Sequence, residues 1–197
     1  MNILTVKAVI YLFVSFLNFL LALLIWFRGK TKTTLYLGWA AFFSGVYVMS
    51  TGLYYVFPNN PNLILFFMRM TWTGLLVLPF FIIFTFYFTE QLIKFKIKFF
   101  LLILTLGGIV FTILALTTPW FVATAWIENN IGSGTYGGLD QSGRIYIVFC
   151  LVFGLTVLIK YYLRTAGIRK LQTRYFILGT GIYILASLIA AGMMPLV

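Results

Sequence analysis

Apolar residues fill this chain in six long blocks, at about 5–27, 33–57, 62–89, 99–117, 143–163 and 171–194. Short polar or basic connectors separate them. The blocks are continuous rather than alternating, and each is close to or beyond the roughly 20 residues that an α-helix needs to cross a hydrocarbon layer. The pattern predicts an all-α integral membrane protein: a six-helix transmembrane bundle forming one domain over 1–197. One connector departs from it. Residues 118–142 alternate through FVATAWIE, pass Asn129-Asn130 and enter a glycine-rich run, which predicts a small β-hairpin lying over the bundle. The first block does not read as a cleaved signal peptide. It is too long for such a core, no small-x-small site ends it, and Arg28-Gly-Lys30 follows directly.

Composition sharpens this picture. At 62% hydrophobic and 9% charged, the 197 residues cannot hide their apolar surface in one soluble core. The net charge of +11 would suggest nucleic acid in a soluble protein. Here the cations sit in short clusters between apolar blocks, as topology signals do, so no nucleic acid is expected. Arg28, Lys30 and Lys32 follow the first block, Lys94, Lys96 and Lys98 the third, and Lys160, Arg164, Arg169, Lys170 and Arg174 the fifth. These alternate connectors hold eleven of the fourteen basic residues. The positive-inside rule then predicts a plasma-membrane protein with the N-terminus outside and the basic connectors in the cytoplasm. Aromatics agree, with Trp26, Trp39, Tyr87, Tyr161, Tyr162 and Tyr175 near the inner interface and Tyr54, Tyr55, Trp120 and Tyr146 near the outer one.

Few residues offer chemistry. There is no histidine, and the one cysteine, Cys150, lies inside a block, so neither a metal nor a disulfide framework is expected. Glu90, Glu128 and Asp140 form no dyad at recognisable spacing, and nothing resembles a nucleophile with its base. The candidates are for binding. Arg69 lies seven residues into the third block, where a charge costs at least ~2.5–3.5 kcal/mol and therefore seeks a partner, a wet cavity or the headgroups. One reading faces it into an outward pocket, for a carboxylate or phosphate ligand or for Glu128 or Asp140 of the outer connector. The other has it snorkel to the surface. Trp72 and Thr73 extend its face, and Tyr47, Ser50, Thr51 and Tyr54 make a polar-aromatic stripe on the second block. Tyr11, Ser15 and Asn18, and Thr180, Tyr183 and Ser187, make similar stripes; all of them also suit interhelical hydrogen bonding. Pro79 is either a hinge or a tolerated kink. The outer connector adds Trp120, Trp126, Glu128 and Asp140. Its glycine run lacks the lysine and following helix of a phosphate loop, and fits turns better. Gly107-Gly108, Gly179/Gly181 and Ala186/Ala190 suit close helix packing. Pro79 lies mid-block while Pro195 lies at the end, so no inverted repeat is expected.

Taken together, NFLLALLIWFRGK, MRMTWTGLLVLPFFIIFTFYFT, GGLDQSGRIYIVFCLVFG and IRKLQTRYFILGTGIYILASLIAAGMMPLV resemble the N-terminal seven-helix region of membrane histidine kinases. An arginine near the outer end of the third helix, and a proline before an aromatic run, are matched by Arg69, Pro79, Phe80, Phe84 and Phe88. Gln172, Arg174 and Tyr175 match the start of the sixth. The resemblance covers nearly the whole chain and implies a non-catalytic sensory input domain of a two-component system. Two departures stand out. The family's seventh helix and transmitter are not expected here, as in a truncated gene product, a gene fragment or half of a two-chain receptor. The phospho-accepting histidine is missing too, so kinase activity does not carry over. Expected partners are membrane lipid, a small ligand or accessory protein, a cytoplasmic output domain or protein, and a second copy in a homodimer; no cofactor is expected. The alternatives are a small transporter or channel subunit, and a scaffold for a larger membrane partner.

Overall fold

A computed structural model describes the backbone of residues 2–90 and 95–192, and the side chains of 2–90 and 96–181. Expectations about Lys94, Met194 and Pro195, and about the side chains of Tyr183, Ala186, Ser187 and Ala190, lie outside the described residues. In order the chain forms α1 (Ile3–Arg28), α2 (Lys32–Val56), α3 (Pro61–Met70), a 3-10 segment (Thr71–Leu76), α4 (Val77–Phe88), α5 (Phe95–Thr117), β1 (Val122–Glu128), β2 (Ile131–Tyr136), α6 (Asp140–Arg164) and α7 (Gly167–Gly192). The six predicted blocks are thus six helical rods, and the connector at 118–142 holds a two-stranded antiparallel hairpin. Among the described residues, four rods are long and apolar enough to cross a membrane: Ile3–Arg28, Pro61–Phe88, Lys96–Thr117 and Asp140–Arg164. Several helices run past their apolar blocks into basic flanks. α7 begins at Gly167 and includes Arg169 and Lys170, because a helix need not end where the oily residues do.

Local chemistry sets the boundaries. Gly29 ends α1 by donating its N–H to the Ile25 carbonyl at 2.7 Å. Thr31 and Thr34 form a reciprocal capping pair at the start of α2. Asn60 caps α3 with Pro61 in its first turn, where a missing N–H costs nothing. The third rod is broken ahead of Pro79. The proline has no N–H for the carbonyl of Leu75, and the Thr71 and Thr73 hydroxyls bond back to Met68 O (2.6 Å) and Met70 O (2.8 Å). The irregularity ahead of Pro79 takes the form of a tighter turn at Thr71–Leu76.

The chain divides into two compact units, one ending at Cys150 and one beginning at Leu151. In the larger unit α1 and α2 are an antiparallel pair joined along a seam of glycines. Gly38 lies against Trp26, Gly45 against Phe19, and Gly52 against Tyr11 and Leu12. The seam steps by seven residues on both helices, so each bulky side chain of α1 enters a notch in α2. Ser15 adds a hydrogen bond to the Gly45 carbonyl at 2.9 Å. In lipid, apolar burial does not drive helices together, so close packing of this kind supplies the attraction. At the basic end of the pair an aromatic cluster gathers Tyr36, Trp39, Phe43, Phe80 and Tyr87, with the Phe43 and Phe80 rings stacked at 5.4 Å. At the other end a second core forms around Tyr54, Tyr55, Ile64, Met68, Ala115, Phe121, Val122 and Ala125. In the smaller unit Val157, Leu158 and Thr173 are buried, and Gly167, at φ +64°, makes the turn into α7.

Candidate functional site

The second core is the underside of the hairpin. Asn129 and Asn130 both take positive φ (50° and 62°), the geometry of a two-residue hairpin turn whose twist matches the strands. Trp126 pairs with Ser133 and Glu128 with Ile131, and an irregularity between Val122 and Thr124 turns Val122 and Ala125 to the same buried side. Two glycines let β2 settle. Gly132 lies on the Tyr54 ring, where an added Cβ would come within 2.8 Å, and Gly134 faces Met68 Sδ. Turn chemistry accounts for neither of them: both are strand positions where the backbone approaches another element.

Two cations fasten this hairpin, one at the start of β1 and one at the turn. Arg69 Nε donates to the Val122 carbonyl at 3.0 Å, and Lys7 Nζ to the Asn130 carbonyl at 2.8 Å. Lys7 also sits 5.4 Å from the Tyr55 ring centroid, and that ring stacks with Tyr11 at 6.0 Å. Arg69 is half-buried, and its acceptor is a main-chain oxygen rather than Glu128 or Asp140. Those acids are engaged elsewhere: Glu128 Oε2 accepts from Trp126 Nε1 at 3.2 Å, and Asp140 Oδ2 from Arg144 Nε at 2.8 Å. Arg144 in turn lies over the Tyr136 ring at 5.4 Å. Burial pushes the Tyr136 phenol above its usual value of 10.0; Arg144 acts against this and Asp140 with it.

The sequence-predicted residues sort into three groups. Trp72, Tyr54 and Arg69 meet at the hairpin: Trp72 crosses the Phe121 ring edge-on at 4.7 Å, and Tyr54 lies beneath Gly132. Ser50, Thr51 and Thr73 are buried, and their hydroxyls donate to carbonyls of their own rod, Val46, Tyr47 and Met70. Each keeps acceptor capacity. Tyr47 is partly exposed and packs on Gly74 of the 3-10 segment, which ties the α2 stripe to the broken rod. Trp126 and Glu128 are exposed on β1, and Trp120 is exposed just ahead of it. Pro79 is buried, with Gly108 of α5 close against its ring. A surface depression at Val56–Asn60 contains none of these residues.

Sequence reasoning missed Lys7, Tyr55, Phe121 and the seating glycines. The alternation Gly132-Ser-Gly134 was a usable signal, since a glycine in a strand marks a close backbone approach. Lys7 stands out as a charge near the start of the first block, but nothing in the sequence points to its acceptor, a backbone oxygen 123 residues away.

Chemically, the arrangement offers hydrogen-bond donors of positive charge beside a seam that peptide carbonyls now occupy, walled by aromatic rings. It suits binding. Comparison with known proteins finds no match among curated proteins and none among solved structures. The family described as the N-terminal 7TM region of histidine kinase matches residues 10–196, nearly the whole chain. The chain, a multi-pass membrane protein, therefore belongs to the N-terminal 7TM regions of histidine kinases, the sensory input part of such receptors.

Proposed function

We propose that this sensory input region detects a small ligand, a lipid or an accessory protein at its hairpin end, through a carboxylate or phosphate that takes over Arg69 from the Val122 carbonyl. The observation that carries this reading is the Arg69–Val122 bond itself. A guanidinium held at Nε by one neutral carbonyl can exchange it for a carboxylate or phosphate that takes two parallel N–H bonds and pairs the charge as well. Tyr47, Ser50, Thr51, Tyr54, Trp72 and Thr73 would wall the opened pocket, and Trp120, Trp126, Glu128 and Asp140 its rim. In this reading the hairpin faces outside and an output domain lies in the cytoplasm, an orientation that the positive-inside distribution of the basic connectors supports. Movement at the 3-10 segment and Pro79 would carry the signal, by no more than the ligand's differential affinity for the two arrangements. The chain itself performs no reaction in this reading, and both compact units serve the one sensor.

The test is thermal unfolding of the purified protein against carboxylate- and phosphate-bearing compounds, comparing ligand-induced shifts rather than absolute midpoints. Wild type and Arg69→Lys should be stabilised by the same compound and Arg69→Ala should not. Equal shifts in all three would remove Arg69 from the site.

A further inference from the structure

A buried hydroxyl in the larger unit is left without a hydrogen bond. Thr112 of α5 is 6% exposed, and its Oγ1 has no partner among the described residues. Other threonines of the same helix behave differently: Thr105 and Thr117 donate to the carbonyls four residues back, Leu101 and Ile113, at 2.8 Å each. That is the usual refuge of a hydroxyl in an apolar helix. Thr112 does not use it, and a buried polar group left unpaired is costly. Gly108, Thr112 and Ala115 share one face of α5, at i, i+4 and i+7. Ala115 joins the core under the hairpin. Gly108 meets the broken rod, where an added Cβ would lie 3.4 Å from Pro79 Cγ and 3.5 Å from the Leu75 carbonyl oxygen. A helical side chain leans over the turn before its own. Thr112 therefore leans over Gly108, which has no side chain to stand between it and Leu75.

The donor that this carbonyl needs depends on the register of the rod. In the 3-10 register it is the N–H three residues on, of Leu78; in the α register it is that of residue 79, a proline with none. The α form of Thr71–Leu76 therefore lacks one donor, while the 3-10 form leaves one hydroxyl idle beside it. We propose that the third rod has two registers, and that Thr112 completes the α one by donating its hydroxyl to the Leu75 carbonyl. The change shortens the rod. Six residues rise about 2.0 Å each as 3-10 helix and about 1.5 Å each as α-helix, a difference of about 3 Å between α3 and α4. This switch rests on the sensory reading only in that the same rod moves, and it operates with nothing bound at Arg69.

The test uses the full chain with Cys150→Ala, spin-labelled at Phe66→Cys on α3 and Ile83→Cys on α4, in nanodiscs without ligand. Pulsed electron spin resonance reads the distance across the segment. The chain that keeps Thr112 and Pro79 should show two distances, the shorter by about 3 Å. Thr112→Val keeps the side-chain shape and removes the donor, so the shorter population should fall about fivefold or more, the scale of one lost hydrogen bond. Thr112→Ser should retain it. Pro79→Ala, which supplies the missing N–H, should enrich it, and Pro79→Ala with Thr112→Val should keep it enriched. The thermal midpoint of Thr112→Val should not drop, because the 3-10 arrangement loses only an unpaired group. A single distance in the Thr112 chain overturns the proposal. So does a shorter population that survives Thr112→Val or that the double variant loses, or a lowered midpoint in Thr112→Val. With no ligand present, failure of Arg69 as a binding residue would leave all of these outcomes unchanged.

Discussion

Lys7 and Asn130 are joined at 2.8 Å, Nζ to carbonyl oxygen, so the first turns of α1 hold the tip of a hairpin 123 residues later. The bond comes from a charged donor, a class worth about 1.5–3 kcal/mol when made. Replacing Lys7 by methionine keeps the stem and removes the donor. The hairpin should open more readily, with amide exchange across Ile131–Tyr136 rising roughly tenfold while that of α2 is unchanged. Unaltered exchange in the hairpin would show that Gly132 and Gly134 seat it unaided.

The glycine seam makes a graded prediction. A methyl at Gly52 would stand 3.1 Å from Tyr11 Cβ, which a small shift relieves, whereas one at Gly45 would come within 2.9 Å of the Phe19 ring, and one at Gly38 nearer still to Trp26. Stability should fall in the order Gly52→Ala, Gly45→Ala, Gly38→Ala, with the last costing about 1–3 kcal/mol as an overpacked contact. Gly38→Ala combined with Trp26→Phe should recover part of the loss. Thermal midpoints in one detergent would decide it, and equal costs at the three positions would refute the notch packing.

Pro79 and the 3-10 segment predict a change in mobility rather than in packing. Pro79→Ala supplies the missing N–H to Leu75, and an ordinary helix should then extend through Thr71–Leu76. The variant should unfold at a higher temperature, and amides at Thr73–Leu76 should exchange more slowly. If the segment is the moving part, ligand-dependent distance changes between labels on α3 and α4 should also diminish. Faster exchange in this variant would count against a hinge.

A pH dependence follows from Tyr136. Its phenol is pushed above 10.0, so the neutral form is the one the fold prefers. The stability this contributes is complete at neutral pH and is lost as pH rises past about 10, where the unfolded phenol ionises first. Hairpin stability, followed by tryptophan fluorescence, should be flat from pH 6 to 9 and fall above it. Tyr136→Phe should fall less steeply over the same alkaline range, with lysine titration common to both.

Most of the fold was legible because membrane helices announce themselves locally: twenty oily residues and a basic connector need no knowledge of the rest of the chain. The hairpin was legible for a similar reason, with Asn129-Asn130 between alternating residues. The site was legible only in part. Arg69 and Trp72 stand out as a charge and a large ring in an apolar rod, but an acid was the natural partner to expect for Arg69. Its actual partner, the Val122 carbonyl, has no residue type to betray it. The Gly38, Gly45, Gly52 series was in plain view at a spacing of seven, yet its meaning depends on Trp26, Phe19 and Leu12 descending the opposite helix in step. The 3-10 segment needed the two threonines and the proline read as one unit.

Both fastenings of the hairpin grip peptide oxygens, at Val122 and Asn130. A peptide oxygen is present whichever side chain its residue bears. The outward residues, Trp126 and Glu128 among them, can therefore be exchanged without touching the latch. Receptors built this way can drift toward new stimuli while the mechanical part stays as it was.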